Sequence, residues 1–136
     1  MNHLADPGEW YVAFEDSGQR YWWDLFTRPG FRHVMAFGYS AQARRWLVYD
    51  VTRTGTCIRA YRRMTFDIWV ADLAPRAVIL KVKAGPVGEP RRLGGLFVCT
   101  AAVKHLIGSG SRALRPQTFF RDLRASGATY AFGTGP

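Results

Sequence analysis

The sequence predicts an α+β fold, a small antiparallel sheet flanked by helices, and three observations carry that prediction. Three short runs alternate in strand fashion and are separated by turn residues: RHVMAFGY (32–39), WLVYDVT (46–52) and TCIRAY (56–61). Apolar residues recur at helical spacing in FDIWVADL (66–73) and again after Thr100. Glycine and proline fall between these runs as punctuation, with no repeat, linker or low-complexity stretch.

Taken in order, WYVAF (10–14) reads as a short strand closed by Glu15, Asp16, Ser17 and Gly18. QRYWWDLFT (19–27) reads as a short helix or turn, stopped by Arg28-Pro29-Gly30 because the residue before proline avoids helical geometry. Trp22 and Trp23 in it are core or interface residues. In 32–39 the alternation puts His33, Met35 and Phe37 on one face, and in 46–52 it puts Trp46, Val48 and Asp50 on one face. The turn SAQARR makes these two runs an antiparallel hairpin, and Thr54-Gly55 leads into a third strand carrying Cys57, Arg59 and Tyr61 on one side.

The run at 66–73 is a helix ended by Pro75, and AVILKVK (77–83) is a fourth strand whose apolar start suits burial on both faces. Residues 85–95 form a loop that delivers the chain to Cys99 at a helix mouth. That helix is amphipathic and stops at Gly108; another runs from Pro116 to Ala125, with Gly127 just past its end. The tail after Ala128 is an edge strand or a frayed end.

At 136 residues the chain fits one domain, 1–136, with a core large enough to fold without disulfide or metal staples. No apolar run is long enough to span a membrane, and the start MNHLADPGEW lacks the charged and apolar regions of a signal peptide. Synthesis in the cytoplasm is therefore expected, with Cys57 and Cys99 as free thiols. The net charge of +9 is uneven: residues 1–27 hold five acids and one base, the rest eighteen bases and five acids. Of the 19 bases 16 are arginine, a usage that a GC-rich coding bias also produces, so the charge is read as a solvated face.

Three residue types in this sequence suit nucleophilic catalysis. A cysteine attacks as thiolate, and a helix N-terminus favours the thiolate because unpaired N–H groups point at the sulfur. Cys99 occupies such a place, and the same turn offers N–H groups for an oxyanion. His33 is the base of choice, since His3 lies near the terminus and His105 sits more than a turn along the same helix as Cys99. Asp50, on the next strand and facing as His33 does, is the orienting carboxylate. Cys57 has no base in reach and is read as core filler, and two cysteines with three histidines make no zinc spacing, so no cofactor is expected. The glycines at 85, 88, 94, 95, 108 and 110 lack the strand, lysine and hydroxyl pattern of a phosphate loop.

Histidine on one strand, aspartate on the next and cysteine opening a later helix resembles the circularly permuted papain-fold hydrolases. That group includes NlpC-like cell-wall peptidases and lecithin:retinol acyltransferase-like enzymes. FRHVMAF, WLVYD and FVCTAAVKHLIG carry the resemblance across residues 31–107 and look like small phage-encoded members. It implies Cys99 as nucleophile, His33 as base and Asp50 as orienter in a thiol hydrolase of amide or ester bonds. The implied partner is a peptidoglycan peptide or another acyl substrate, in a protein carried in a phage virion. A second reading keeps the fold without turnover, as a tail or connector component of a virion docking on other virion proteins; the aromatic surplus and the acidic start beside a basic body favour it. A nucleic-acid partner rests on charge alone, without a binding motif, and ranks last.

Overall fold

The structure is a computed structural model that describes residues 7–16, 29–52, 55–85 and 98–132. Six strands form one antiparallel sheet: β1 (Glu9–Glu15), β2 (His33–Ser40), β3 (Arg45–Thr52), β4 (Gly55–Tyr61), β5 (Val78–Lys83) and β6 (Thr129–Tyr130). Their spatial order is β4-β3-β2-β1-β5-β6. Helix α1 (Arg63–Leu73) lies between β4 and β5 in the chain, and α2 (Val98–Leu106) and α3 (Pro116–Ala125) lie between β5 and β6. The α+β class is therefore as the sequence predicts. The segments 19–27 and most of 85–95, with Trp22 and Trp23, lie outside the described residues.

Strand alternation sorts the core into two layers. On one face Trp10, Val12, Phe14, Val34, Ala36 and Leu80 pack against α2 and α3 through Val103, Ile107, Phe119 and Leu123. On the other, Ala13, Met35, Phe37, Val48 and Ile79 pack against α1 through Phe66, Val70 and Leu73. Each Val, Leu, Ile, Phe or Met side chain sealed in this way contributes about 1.5–3 kcal/mol relative to exposure. Phe66 also stacks on Trp46 with ring centroids 3.9 Å apart and planes within 3°. Ile79 and Leu80 each enter one layer, so β5 is buried on both faces, as its apolar start predicts.

Three local expectations are refined. Pro75 does not stop the chain abruptly: α1 tightens into a 3₁₀ turn at Ala74–Arg76 before β5. The tail does form an edge strand, of two residues, on β5. Cys57 is exposed rather than core, because β4 is an outer strand of the sheet. Gly108 (φ 67°) and Gly127 (φ 99°) end α2 and α3 in the left-handed region that glycine enters without a Cβ clash. Among the described residues no helix is long and apolar enough to cross a membrane.

The β2–β3 turn ends on Arg44 with φ 53°, a left-handed conformation that costs a residue bearing a Cβ. Arg44→Gly is expected to stabilise the fold by ~1 kcal/mol, read as a rise of a few degrees in the thermal midpoint. An unchanged or lowered midpoint would show that the turn holds no such strain.

Candidate active site

His33 opens β2 and Asp50 lies near the end of β3, so both sit at the same end of the hairpin. The β2–β3 pairing runs from Ser40↔Arg45 to Ala36↔Tyr49 and stops there. Beyond that point each strand keeps its other neighbour: β2 stays paired with β1 out to Glu15↔His33, and β3 with β4 out to Thr52↔Gly55. The two central strands thus part where His33 and Asp50 stand. His33 Nε2–H donates to Asp50 Oδ1 at 2.5 Å across the opening.

Cys99 comes from the first turn of α2 and is buried, 6% exposed. By alternation His33 and Asp50 belong to the α1 face of the sheet, with Met35, Phe37 and Val48, whereas α2 covers the opposite face. Two contacts join the sulfur to β2 across this mismatch. It accepts a hydrogen bond from the Val34 backbone N–H, and backbone N–H groups of a strand point within the sheet rather than above it. At that level the sulfur also hydrogen-bonds the His33 ring. Since Nε2 is held by Asp50, the ring meets the sulfur through Nδ1.

The electrostatics follow from these contacts. Burial alone would strip the His33 proton, but hydrogen bonds to Asp50 and Cys99, with the negative charge of both, outweigh it and push the imidazole up to about 10. Burial likewise opposes a charged sulfur. The hydrogen bond and charge of His33, with the Val34 amide, overcome it and hold the Cys99 thiol below its usual range. The hydrogen bond from His33 holds the Asp50 carboxyl low against partial burial, helped by the positive charges of His33 and Arg59. These directions favour an imidazolium held between a thiolate and a carboxylate.

All three predicted residues are brought together, and three more belong to their surroundings. Glu15, the register partner of His33, is buried and ion-paired with Arg76, which also reaches Asp72 at 3.5 Å. Burial raises the Glu15 carboxyl, against the attraction of Arg76 and His33. Arg59 lies over the rings of Tyr61 and Trp69, 5.8 Å from each centroid. Thr100 is fully buried beside the nucleophile. The only trace of Glu15 in the sequence is an acid at the end of an apolar strand, on the parity of His33's face; Arg59 and Thr100 left none.

Cys57 stands opposite Asp50 in the β3–β4 register, exposed. His105 lies in the last turn of α2, away from Cys99, and His3 is outside the described residues. Among the described residues no group of three or more His, Cys, Asp or Glu is disposed to hold a metal ion. A cavity of about 570 Å³, lined by Lys81, Lys83, Ser109 and Ser126 among others, opens at the C-terminal ends of α2 and α3, the opposite end of α2 from Cys99. The clustered thiol, imidazole and carboxylate thus stand without a relative to interpret them by: no protein-family model, curated protein or solved structure matches this chain.

Proposed function

We propose that the protein is a thiol hydrolase that opens an amide or ester bond through an acyl-enzyme on Cys99, built on a circularly permuted papain-like fold. One observation carries the reading: a single histidine hydrogen-bonds a carboxylate with one nitrogen and a helix-mouth cysteine with the other.

The reaction runs as follows on these residues. Cys99 thiolate attacks the carbonyl carbon; a C–S bond forms and the carbonyl π pair moves to oxygen, where first-turn N–H groups of α2 are at hand as donors. As the intermediate collapses, the C–N or C–O bond breaks and His33 gives its Nδ1 proton to the leaving group. Neutral His33 then takes a proton from a water that attacks the thioester. The C–S bond breaks, the acid product leaves and the thiolate returns beside a recharged imidazolium. Asp50 keeps Nε2 protonated throughout, so that Nδ1 faces the sulfur.

The proposed substrate is a cell-wall peptide or another acyl compound, in a phage particle. A non-enzymatic virion role is the second reading, favoured by Met64 and Ile68, which are 80% and 72% exposed one turn apart on the outer side of α1.

On a Cys57→Ser background, so that one thiol reports, alkylation by iodoacetamide followed by peptide mass spectrometry should show Cys99 still reacting at pH values well below the ordinary thiol range. p-Nitrophenyl acetate should leave an acetyl group on Cys99. A Cys99 that titrates as an ordinary thiol and takes no acyl group overturns the hydrolase reading.

A further inference from the structure

Five ionisable side chains at the His33 end of the sheet alternate in sign when the imidazole is charged. In the strand order β4-β3-β2-β1-β5 they are Arg59, Asp50, His33 and Glu15, with Arg76 in the turn that leads into β5. Arg59 is the diagonal neighbour of Asp50 in the β3–β4 register, Asp50 bonds His33 at 2.5 Å, Glu15 is the register partner of His33, and Arg76 hydrogen-bonds Glu15. Residues directly opposite in an antiparallel pair project on the same face with Cβ atoms about 5 Å apart. Because β1 and β3 flank β2, the Glu15 side chain stands beside His33 on the side away from Asp50. Only 9% of that side chain is exposed, against 54% for Arg76. A buried ion pair gives a fold little that apolar side chains of the same volume would not, so folding alone does not account for a carboxylate here.

We infer that Glu15, clamped by Arg76, is a positioning residue of the reaction: a second carboxylate beside the imidazole, which keeps His33 basic once the sulfur has been acylated. This inference rests on the thiol-hydrolase reading and adds a residue to it. In the resting site the thiolate and Asp50 both favour the imidazolium. Acylation removes the charge on the sulfur, and the two carboxylates are then what make the ring basic enough to take a proton from the attacking water. The water O–H bond breaks, the proton goes to Nδ1, the oxygen bonds the acyl carbon and the C–S bond then breaks; Glu15 exchanges no proton. Arg76 keeps the charge in place, since burial pushes the Glu15 carboxyl up and the guanidinium is the strongest influence holding it down. The remaining charged groups nearby are Arg59 beyond Asp50, Asp72 of α1 beyond Arg76 at 3.5 Å, and Arg32 next to His33 in the chain, which reaches Asp16 at 3.8 Å.

Proton–nitrogen NMR reads the imidazole directly on a Cys99→Ser background, where an uncharged side chain stands in for the acylated sulfur; the His33 resonances are those lost in His33→Ala. Glu15→Gln, which keeps the shape of the side chain and removes its charge, should lower the His33 midpoint by about one pH unit, the lower end of what an opposite charge within ~4–6 Å does. Glu15→Asp, which keeps the charge and gives up the shape, should stay near the parent value. With Cys99 intact and Cys57→Ser, hydrolysis of acetyl-Cys99 formed from p-nitrophenyl acetate should show the same downward shift of its pH midpoint in Glu15→Gln, with a lower plateau rate. The alkylation midpoint of Cys99 should not rise in that variant, whereas a site merely loosened would lose the His33 contact and show a higher one. If melting shows Glu15→Gln unfolded, Glu15→Gln with Arg76→Met removes the pair as a unit and should shift the imidazole in the same direction by less, because the nearer charge is the negative one.

Coincident imidazole midpoints in the glutamine variant and its parent overturn the inference, as does an aspartate variant shifted as far as the glutamine one, or a raised Cys99 midpoint. A Cys99 that takes no acetyl group sinks the hydrolase reading itself. The two failures are distinct because the NMR titration needs no acyl transfer.

Discussion

Replacing Cys99 with alanine is expected to abolish acyl transfer altogether, and replacing His33 with alanine is expected to slow it by roughly 10²–10⁴-fold. The two losses differ because the residues fail in different ways. Without the sulfur no acyl-enzyme forms at this site, and the other cysteine, Cys57, lies exposed on β4 rather than at the mouth of α2. Without His33 the sulfur remains in the first turn of α2, with the Val34 amide still donating, but it loses the positive charge that offsets its burial. The thiol pKa then rises and the leaving group has no proton donor. His33→Ala should therefore retain a slow acylation that goes on increasing with pH to higher values than in wild type. Ester turnover and the pH dependence of Cys99 alkylation measure this. An alanine variant at 99 that still turns over, or a His33 variant with an unshifted alkylation curve, would refute the assigned roles.

Between the ordinary imidazole and thiol values, 6.5 and 9.0, the His33 and Cys99 contributions to stability should work against each other, and above 9.0 stability should fall. His33 is raised on folding, so its contribution is complete below 6.5 and is lost as the pH climbs toward about 10. Cys99 is lowered, so its contribution is complete above 9.0 and is lost as the pH falls toward its folded value. Where these two slopes overlap they oppose each other: folding moves a proton from the thiol to the imidazole with little net uptake or release. Above 9.0 only the His33 slope remains, and stability declines. Cys99→Ser removes one slope and leaves the other, because the His33–Asp50 hydrogen bond persists. Between pH 6.5 and 9.0 the serine variant should therefore lose more stability with rising pH than wild type does. Denaturation midpoints measured from pH 5 to 10 test this, and identical profiles for the two proteins would rule out a thiolate–imidazolium pair. The Asp50 contribution lies lower, because its carboxyl is held below 3.8, and does not enter this window.

Much of this architecture was legible in the chain because it depends on short-range rules. Alternation at 32–39, 46–52 and 56–61 gave the β2, β3 and β4 strands, helical spacing and flanking Gly and Pro gave the three described helices, and the last of them lies where it was expected, at about Pro116 to Ala125. The same local rules picked Cys99, because a helix start is visible in sequence, and Asp50, because it shares the parity of His33 on an adjacent strand. Glu15, Thr100 and Arg59 were not legible as neighbours of the site. Nothing in residues 9–15 says that β1 will lie between β2 and β5, and it is that non-local pairing that sets Glu15 against His33. Cys57 was misread as core for a related reason: whether a strand is inner or outer depends on what fails to pair with it, and β4 has a neighbour on one side only.

By itself, then, the sequence determined the element types, the α+β class and the identity of a thiol, an imidazole and a carboxylate at element ends, all of which follow from periodicity and backbone chemistry within a few residues. Only the tertiary structure decided that they meet. Parity assigns His33 and Asp50 to the α1 face and packing assigns Cys99 to the other, and they converge because β2 and β3 separate past Ala36 and Tyr49. Past that point the Val34 amide donates to the Cys99 sulfur. Pairing lost at one end of a ladder is a property of the whole sheet, and no local pattern of residues encodes it.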